Sequence, residues 1–326
     1  MTKIKYGRDT YPLGKDQSVL DCLVEHGAPV PFSCRSGVCQ TCLMRALRGV
    51  PPDASQQGLK DSLKLQNYFL ACVCHPMEDL EAALPHEVLS SVPATVAALD
   101  PLNGEIMHVA LECHDPLEYR AGQFINLFRT PALGRSYSLA SVPQQDEHLH
   151  LHVRRLPQGK VSGWIHEELR TGQTVELRGP SGDCFYVPGR PEQEIVMIGT
   201  GSGLAPLYGI LRDALHRGHS GPIRLFHGSR SRAGLYLTGE LRDLARKYPN
   251  FDYVPCVSGE RPAPGLAGGR AHEMAFKEVT DFKDKRLFLC GHPEMVSAAK
   301  TRAFLAGAAI KDIYADPFNV NAAAAP

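Results

Sequence analysis

The sequence predicts a multidomain protein of the α+β and α/β classes, with an antiparallel β-barrel followed by a doubly wound parallel sheet. Three observations support this. A chain of 326 residues is long enough for two or three domains. The spacing of its apolar residues changes near 83–93, a stretch that contains two prolines, and again at Pro188-Gly189-Arg190-Pro191. Five of its ten cysteines fall between residues 34 and 74. We expect domains at 1–86, 92–188 and 189–326.

The first domain should open with a strand at 3–6, where apolar and charged residues alternate. Ser18 is a suitable N-cap for a following helix, and Gly27 a suitable stop. Residues 32–42 have no periodicity and predict a tight loop. Further strands are expected at 43–47 and 68–73.

The second and third domains differ in the spacing of their apolar residues. Short strand-like runs separated by Gly and Pro predict a small antiparallel barrel; they lie at 106–111, 123–128, 137–139, 148–153 and 174–177. After residue 191, apolar runs alternate with helical patterns, which is typical of a parallel doubly wound sheet. Strands are expected there at 195–198, 223–226, 253–257 and 286–289, and helices at 204–216, 240–247, 271–278 and 293–305.

The balance of charge excludes two classes of partner. Lys plus Arg number 35 and Asp plus Glu number 35, so no overall field would attract nucleic acid or an acidic membrane surface. No run of 18 apolar residues occurs, and the N-terminus has no apolar signal core. We therefore expect a cytoplasmic protein that binds neither nucleic acid nor membrane.

The cysteine spacing carries the strongest chemical signal. Cys34, Cys39 and Cys42 are separated by four and then two residues, which is the plant-type spacing for a 2Fe-2S cluster. Either Cys72 or Cys74 would supply the fourth thiolate. The alternative is a zinc site, or a redox pair formed by Cys39 and Cys42 alone, but zinc sites usually present two close cysteine pairs.

This first segment resembles a plant-type ferredoxin domain, which implies a β-grasp fold. The resemblance rests on Pro31-Phe32-Ser33 before Cys34 and on Leu70-Ala71-Cys72 with Pro76 four residues on. In that family the cysteine four residues before the proline is the ligand, which implies Cys72.

Two segments of the barrel have flavin-binding chemistry. Arg135-Ser136-Tyr137-Ser138 offers a cation, an aromatic face and hydroxyls, and Gly159-Lys160-Val161-Ser162 offers a turn whose amides can hold a pyrophosphate. Together they resemble the FAD site of the ferredoxin-NADP reductase superfamily. The resemblance implies that Arg135 contacts the flavin phosphate, Tyr137 packs on the isoalloxazine and Ser138 approaches N5. It also places His152 and Arg154 on the FAD side.

A glycine-rich turn follows the first apolar run of the third domain and precedes a helix, where a nucleotide pyrophosphate can approach the backbone. Its sequence is Gly199-Thr200-Gly201-Ser202-Gly203. The turn departs from the common dehydrogenase fingerprint at Leu204, and the second strand ends at Ser229-Arg230 with no acidic residue. It does resemble the nicotinamide lobe of the same superfamily.

That resemblance implies further site positions in the third domain. Cys290-Gly291 matches an element whose cysteine faces the nicotinamide, and Phe318 matches a C-terminal aromatic beside the flavin. Ser229, Arg230 and Tyr236 would contact the nucleotide. The candidate catalytic residues are thus Ser138, Cys290 and Phe318.

The order of the three modules resembles reductase components of multicomponent oxygenases, most closely the naphthalene-dioxygenase type. This implies FAD, a 2Fe-2S cluster and NADH, with NADPH possible because Arg230 can pair with a 2′-phosphate. The implied partner is a ferredoxin or a terminal oxygenase acting on aromatic or other hydrocarbons. A biosynthetic reductase, for example in deoxysugar formation, and a non-catalytic redox sensor are the alternatives.

Overall fold

The computed structural model describes residues 2–319, and these divide into two compact units after Leu89. The first unit is a five-stranded sheet in the order β2-β1-β5-β3-β4, in which only β1 and β5 are parallel. Its elements are β1 (Lys3–Tyr6), β2 (Asp9–Pro12), α1 (Val19–Glu25), β3 (Leu43–Arg48), α2 (Asp61–Lys64), β4 (Tyr68–Leu70) and β5 (Leu80–Ala83). The predicted β-grasp fold is confirmed.

The helix α1 forms where the sequence predicts it. Ser18 caps its N-terminus by accepting a hydrogen bond from the Asp21 amide at 3.1 Å, and Val19, Leu20 and Leu23 are fully buried. The strand expected at 68–73 is wrong in its second half. It ends at Leu70, and Ala71–Val73 form a 3-10 turn.

The second unit begins with a curled antiparallel sheet in the order β10-β7-β6-β11-β8-β9. Its elements are β6 (Ser90–Pro101), β7 (Ile106–Cys113), β8 (Phe124–Thr130), β9 (Leu133–Ser138), β10 (Leu149–Arg154), α3 (Lys160–Glu167) and β11 (Thr174–Ser181). An isolated β-bridge between Leu139, directly after β9, and Leu151 of β10 joins the two edges of this sheet. The linker expected near 83–93 is wrong at its end, because the twelve-residue strand β6 already starts at Ser90.

A parallel sheet in the order β15-β14-β13-β12-β16-β17 follows. Its elements are β12 (Ile195–Thr200), α4 (Leu204–His216), β13 (Ile223–Ser229), α5 (Thr238–Lys247), β14 (Phe251–Val257), β15 (Ala267–Gly268), α6 (Ala271–Glu278), β16 (Arg286–Gly291), α7 (Pro293–Leu305) and β17 (Ile313–Pro317). The helices α4 and α5 pack on one face, and α6 and α7 on the other. The predicted doubly wound sheet is confirmed.

Strand order reverses at β12, because the chain adds β13 and β14 on one side and β16 and β17 on the other. Ligands of open parallel sheets bind at this switch point, outside the carboxyl ends of the strands. The glycine-rich turn after β12 and the Cys290-Gly291 pair at the end of β16 therefore meet there. Among residues 2–319, no helix is long and apolar enough to cross a membrane.

The switch point depends on a glycine that has no room for a side chain. A Cβ on Gly203 would lie 2.3 Å from the Cys290 carbonyl oxygen, whereas a Cβ on Gly239, at the start of α5, would meet nothing within 4 Å. We expect Gly203→Ala to lower the free energy of unfolding by about 2 kcal/mol or more through overpacking. Gly239→Ala should leave it unchanged or raise it by up to about 1 kcal/mol. Thermal and denaturant unfolding measure both, and equal effects of the two changes would contradict the packing described here.

Candidate functional site

The cysteine loop of the first unit holds two exposed thiols close together. The Sγ of Cys34 accepts hydrogen bonds from the amides of Ser36 and Cys39, both at 3.4 Å. The hydroxyl of Ser36 and these amides lower the pKa of Cys34 to about 5. The hydroxyl of Thr41 and neighbouring groups lower the pKa of Cys39 as well. Cys34 is thus a thiolate at neutral pH, the form that ligates iron.

Cys42 and Cys72 form a second pair deeper in the same unit. Cys42 is buried and Cys72 is half-buried, and their thiols interact with each other. Burial raises the pKa of Cys42 to about 11. In the described part of the chain, no three Cys, His, Asp or Glu side chains surround a common point that could hold one metal ion. Two thiol pairs suit a cluster of two irons, each held by two protein ligands.

Cys74 differs from Cys72 in its surroundings. It is fully buried in the core of the unit, and burial raises its pKa to about 12 despite a hydrogen bond with Ser55. The 3-10 turn at Ala71–Val73 separates the two side chains, so that Cys72 lies towards Cys42 and Cys74 lies towards the core. This arrangement supports Cys72 as the fourth ligand.

The flavin motif of β9 reaches the parallel sheet through one hydrogen bond. Ser138 is buried, and its Oγ donates to Asp316 Oδ2 at 2.7 Å. Asp316 lies on β17 opposite Cys290 of β16. Burial raises the pKa of Asp316, the hydrogen bond from Ser138 lowers it, and the charge of Asp183 raises it, so that the net direction is upward. The site therefore contains a carboxyl group that resists ionisation.

The other residues of this motif become more buried towards the end of β9. Arg135 and Ser136 are exposed, and Tyr137 is half-buried. The Ser136 hydroxyl donates to Asn126 Oδ1 at 2.7 Å, and an Arg135 Nη donates to the Gly134 carbonyl at 2.7 Å. The side chain of Arg135 is exposed, so an anion can reach its guanidinium group.

The second flavin segment borders a cavity of about 420 Å³ that is lined by residues of 104–105, 154–159, 163 and 167. Gly159 and Lys160 lie at the start of α3, and Ser162 Oγ accepts a hydrogen bond from the Leu156 amide at 3.2 Å. A Cβ on Gly159 would lie 2.2 Å from Ser162 Oγ, so a side chain there would displace the Ser162 hydroxyl from its present position. The side chain of Val161 is buried in the barrel core, which leaves only its backbone for a cofactor.

His152 and Arg154 of β10 face the parallel sheet. Arg154 pairs with Glu105 at 2.9 Å, and one of its Nη atoms would lie 3.7 Å from a Cβ on Gly201. His152 is buried, its Nδ1 lies 3.2 Å from the hydroxyl of Tyr236, and burial lowers its pKa to about 3. Tyr236 itself is 2% exposed, with its ring edge-on to His152 and His227. Its proposed contact with the nucleotide stays a prediction.

The glycine-rich turn is held against the end of β16. Gly201 and Gly291 have φ angles of +54° and +118°. A Cβ on Gly291 would lie 2.6 Å from the Thr200 carbonyl oxygen, and one on Gly199 would lie 2.6 Å from Leu207. Thr200 Oγ1 accepts a hydrogen bond from the His292 amide at 3.2 Å. Glycine at these positions thus allows the turn to pack tightly against β16 at the N-terminus of α4, the end of a helix where parallel sheets of this kind bind a dinucleotide.

Cys290 and Phe318 close the same region. Cys290 is fully buried, its Sγ lies 3.9 Å from Cys184 Sγ, and burial raises its pKa well above the ordinary thiol value. It is therefore a neutral thiol. The half-buried Phe318 follows β17, and its amide donates to the Gly291 carbonyl at 2.8 Å.

Two residues of the site had no role in the sequence interpretation, Asp316 and Cys184. Asp316 stands in the Tyr-Ala-Asp segment near the C-terminus, and that segment was the only local signal for it. No local sequence pattern indicated Cys184, because Cys290, whose thiol lies beside it, is 106 residues away along the chain.

Family models match the chain in three places. They are the 2Fe-2S iron-sulfur cluster binding domain over residues 6–77, the oxidoreductase FAD-binding domain over 102–186 and the oxidoreductase NAD-binding domain over 197–301. The predicted cofactor classes, a 2Fe-2S cluster, FAD and a nicotinamide dinucleotide, are confirmed by these domains.

Similar proteins were found along nearly the whole length. An aromatic O-demethylase reductase subunit of Amycolatopsis sp. is 35% identical over 86% of this chain and 88% of its own. The chain belongs to the family of oxygenase reductase components. A ferredoxin–NAD(P)+ reductase component of naphthalene 1,2-dioxygenase/salicylate 5-hydroxylase systems of Ralstonia sp. is 31% identical over 92% and 93% of the two chains. The crystal structure of an Amycolatopsis cytochrome P450 reductase has a TM-score of 0.68 and 31% identity, covering 98% and 99% of the two chains.

The reductase allows a direct test of its fourth cluster ligand. Cys72→Ala should remove the iron and the visible absorption of the cluster, because Cys42 would lose its paired thiolate. Cys74→Ala should keep both and only lower stability, since its thiol packs in the core. Iron analysis and absorption spectra of the purified variants measure this, and the reverse pattern would assign the ligand to Cys74.

Two carboxylates of the reductase should respond to pH in opposite ways. Asp316 has a raised pKa, so its contribution to stability is greatest at acid pH and is lost as pH rises through that pKa. Burial raises the pKa of Asp146, but the hydrogen bond and charge of Arg212 outweigh it, so the net direction is downward. We expect Asp316→Asn to stabilise the protein at pH 7, by a difference that shrinks as pH falls towards 4. Asp146→Asn should destabilise it by a difference that stays nearly constant down to pH 4, because a lowered pKa loses its contribution only below the usual range of a carboxyl group.

Denaturant unfolding at pH 4, 5.5 and 7 measures these effects. A loss of stability in Asp316→Asn that grows as pH rises would show that Asp316 is stabilised as a carboxylate, contrary to its burial.

Proposed function

We propose that the reductase takes a hydride from NADH at the junction of β9, β16 and β17, and delivers electrons singly to a ferredoxin or a terminal oxygenase. The observation that carries this proposal is the meeting of Ser138, Asp316 and Cys290 at one place. These residues come from the flavin motif and from the nicotinamide lobe, and they are joined by a 2.7 Å hydrogen bond and a strand pairing.

Each of these residues has a role in the proposal. Ser138 has its hydroxyl oriented by Asp316, so that the oxygen can accept a hydrogen bond from a group placed against β9. Cys290 has no exposed surface in this structure, and its neutral, polarisable thiol would suit contact with an uncharged ring better than a thiolate if a ring displaced the groups that cover it. Phe318, tied to Gly291, covers the same position against water.

The residues present fit the three cofactors. Arg135 and the turn at Gly159 would hold the phosphates of FAD, Thr200 and Gly201 those of NADH, and Cys34, Cys39, Cys42 and Cys72 the cluster. The flavin supplies the conversion of a two-electron hydride into single electrons. The exposed Cys34 and Cys39 lie on the solvent side of the first unit, where a protein partner can approach.

The relatives support an oxygenase-linked partner. Their names describe reductase components of O-demethylase and naphthalene dioxygenase systems. A biosynthetic reductase, as in deoxysugar formation, would use the same three sites and differ only in its partner. A redox sensor without turnover is disfavoured, because every predicted cofactor element is present in the described chain.

The order of electron transfer can be tested by removing the cluster. Cys39→Ser should lose the cluster yet keep FAD, because Cys39 and the flavin motif lie in separate compact units. Such a variant should oxidise NADH with ferricyanide at near wild-type rate, but lose at least about 90% of its cytochrome c reduction. Ferricyanide can accept electrons from flavin directly, whereas cytochrome c in this proposal receives them from the cluster.

Cys113→Ser, which changes a half-buried thiol in the barrel, is the matched control and should keep both activities. Equal loss of both activities in a Cys39→Ser protein that retains FAD would contradict the order nicotinamide, flavin, iron–sulfur. Failure of the wild-type protein to oxidise NADH with any acceptor would favour the redox sensor.

A further inference from the structure

An acidic side chain lies beside the end of β13, although the sequence of that strand contains none. Glu260 Oε1 accepts a hydrogen bond from the Arg232 amide at 2.6 Å. Arg232 is three residues beyond Ser229, where β13 ends. Glu260 itself is three residues beyond the end of β14, the neighbouring strand.

The position of Glu260 is set by main-chain pairing that continues past both strands. The Ser258 amide donates to the Ser229 carbonyl at 3.1 Å, and the Gly259 amide donates to the Arg230 carbonyl at 2.7 Å. A Cβ on Gly259 would lie 2.8 Å from the Arg230 carbonyl oxygen, so the residue before Glu260 must be glycine. The two loops are therefore packed together, and the carboxylate is held against the 229–232 loop.

The end of the second strand is the place where a parallel nucleotide-binding sheet reads the adenosine ribose. An acidic residue there accepts hydrogen bonds from the free ribose hydroxyls of NAD, whereas an arginine accommodates the 2′-phosphate of NADP. In this chain Arg230 and Arg232 are exposed in the loop, and they alone would favour NADPH. The carboxylate of Glu260 adds a negative charge beside the same loop, at the Arg232 amide.

We propose that Glu260 is the residue that makes the reductase select NADH over NADPH. It repels a 2′-phosphate, and it keeps the Arg232 amide bonded to a carboxylate oxygen. Dinucleotide sites usually have an acidic residue after the second strand of the sheet. In this chain the acidic residue follows the third strand, β14. This inference rests on the proposed use of a nicotinamide dinucleotide as electron donor.

The variant Glu260→Gln tests the charge alone, because the glutamine oxygen can still accept the hydrogen bond from Arg232. We expect the ratio of kcat/KM for NADPH to that for NADH, measured with ferricyanide, to rise at least about tenfold, which corresponds to about 1.4 kcal/mol. Asp281→Asn is the matched control, since Asp281 is also an exposed carboxylate that accepts an amide hydrogen bond, but it precedes β16, at the amino ends of the strands. It should leave the ratio unchanged.

A second measurement does not depend on any variant. Adenosine 5′-monophosphate should inhibit NADH oxidation by the wild-type protein more strongly than adenosine 2′,5′-bisphosphate, because only the latter brings a phosphate to Glu260. In Glu260→Gln the order should reverse or the difference disappear.

The inference is overturned if Glu260→Gln leaves the coenzyme ratio within about twofold of wild type. It is also overturned if the wild-type protein prefers NADPH or binds the bisphosphate more tightly. Either result, obtained with a protein that still oxidises a nicotinamide dinucleotide, leaves the proposed function standing. Absence of oxidation of both dinucleotides would instead contradict the proposed function.

Discussion

The hydrogen bond between Ser138 and Asp316 is the interaction on which the arrangement of the candidate site depends. It joins β9, the edge strand that carries the flavin motif, to β17, the edge strand of the parallel sheet. Because Asp316 pairs in register with Cys290, the same contact aligns the end of β16 with the flavin motif. Burial of the carboxyl group opposes its ionisation, and the donated hydrogen bond offsets part of that cost.

Close backbone contacts give the switch point its shape. Gly203 lies against the Cys290 carbonyl and Gly291 against Thr200, so β12 and β16 end within contact distance of each other. Any side chain at these positions would separate the strand ends. The glycines therefore allow tight packing at the place where a nucleotide approaches the backbone in sheets of this kind. Burial at the end of β16 also keeps the Cys290 thiol neutral, and the Phe318 amide is bonded to the adjacent Gly291 carbonyl.

The sequence predicted those parts of the fold that depend on local pattern. The helices α4, α6 and α7 begin and end where expected, because apolar periodicity and flanking Gly or Pro residues act within one segment. The strands β2, β5, β15 and β17 were not predicted. They have two to five residues each, too few to show a clear alternation of apolar and polar side chains. In addition, β5 depends on pairing with the distant strand β1. The strand β6 was partly read as linker because Pro93 interrupts its pattern.

The residues of the candidate site divide in the same way, into those that a local pattern predicts and those that only folding brings together. Motif residues such as Cys34, Ser138 and Gly201 could be predicted because each belongs to a contiguous pattern. Their partners could not, because Asp316 lies 178 residues from Ser138 and Cys184 lies 106 residues from Cys290. Glu260 illustrates this most clearly. A sequence-based search looks for an acidic residue after the second strand of the sheet, β13, whereas Glu260 follows the third strand, β14, and lies beside the loop after β13 only in the folded chain.

The central claim is that hydride enters at the junction of β9, β16 and β17 and that electrons leave through the cysteine loop. Anaerobic rapid mixing with NADH tests it most directly, with the absorbance of flavin and of the cluster followed separately. The account predicts that flavin absorbance falls first, more slowly when the transferred hydrogen is deuterium, and that cluster absorbance falls in a later phase. Loss of cluster absorbance before that of the flavin would contradict it.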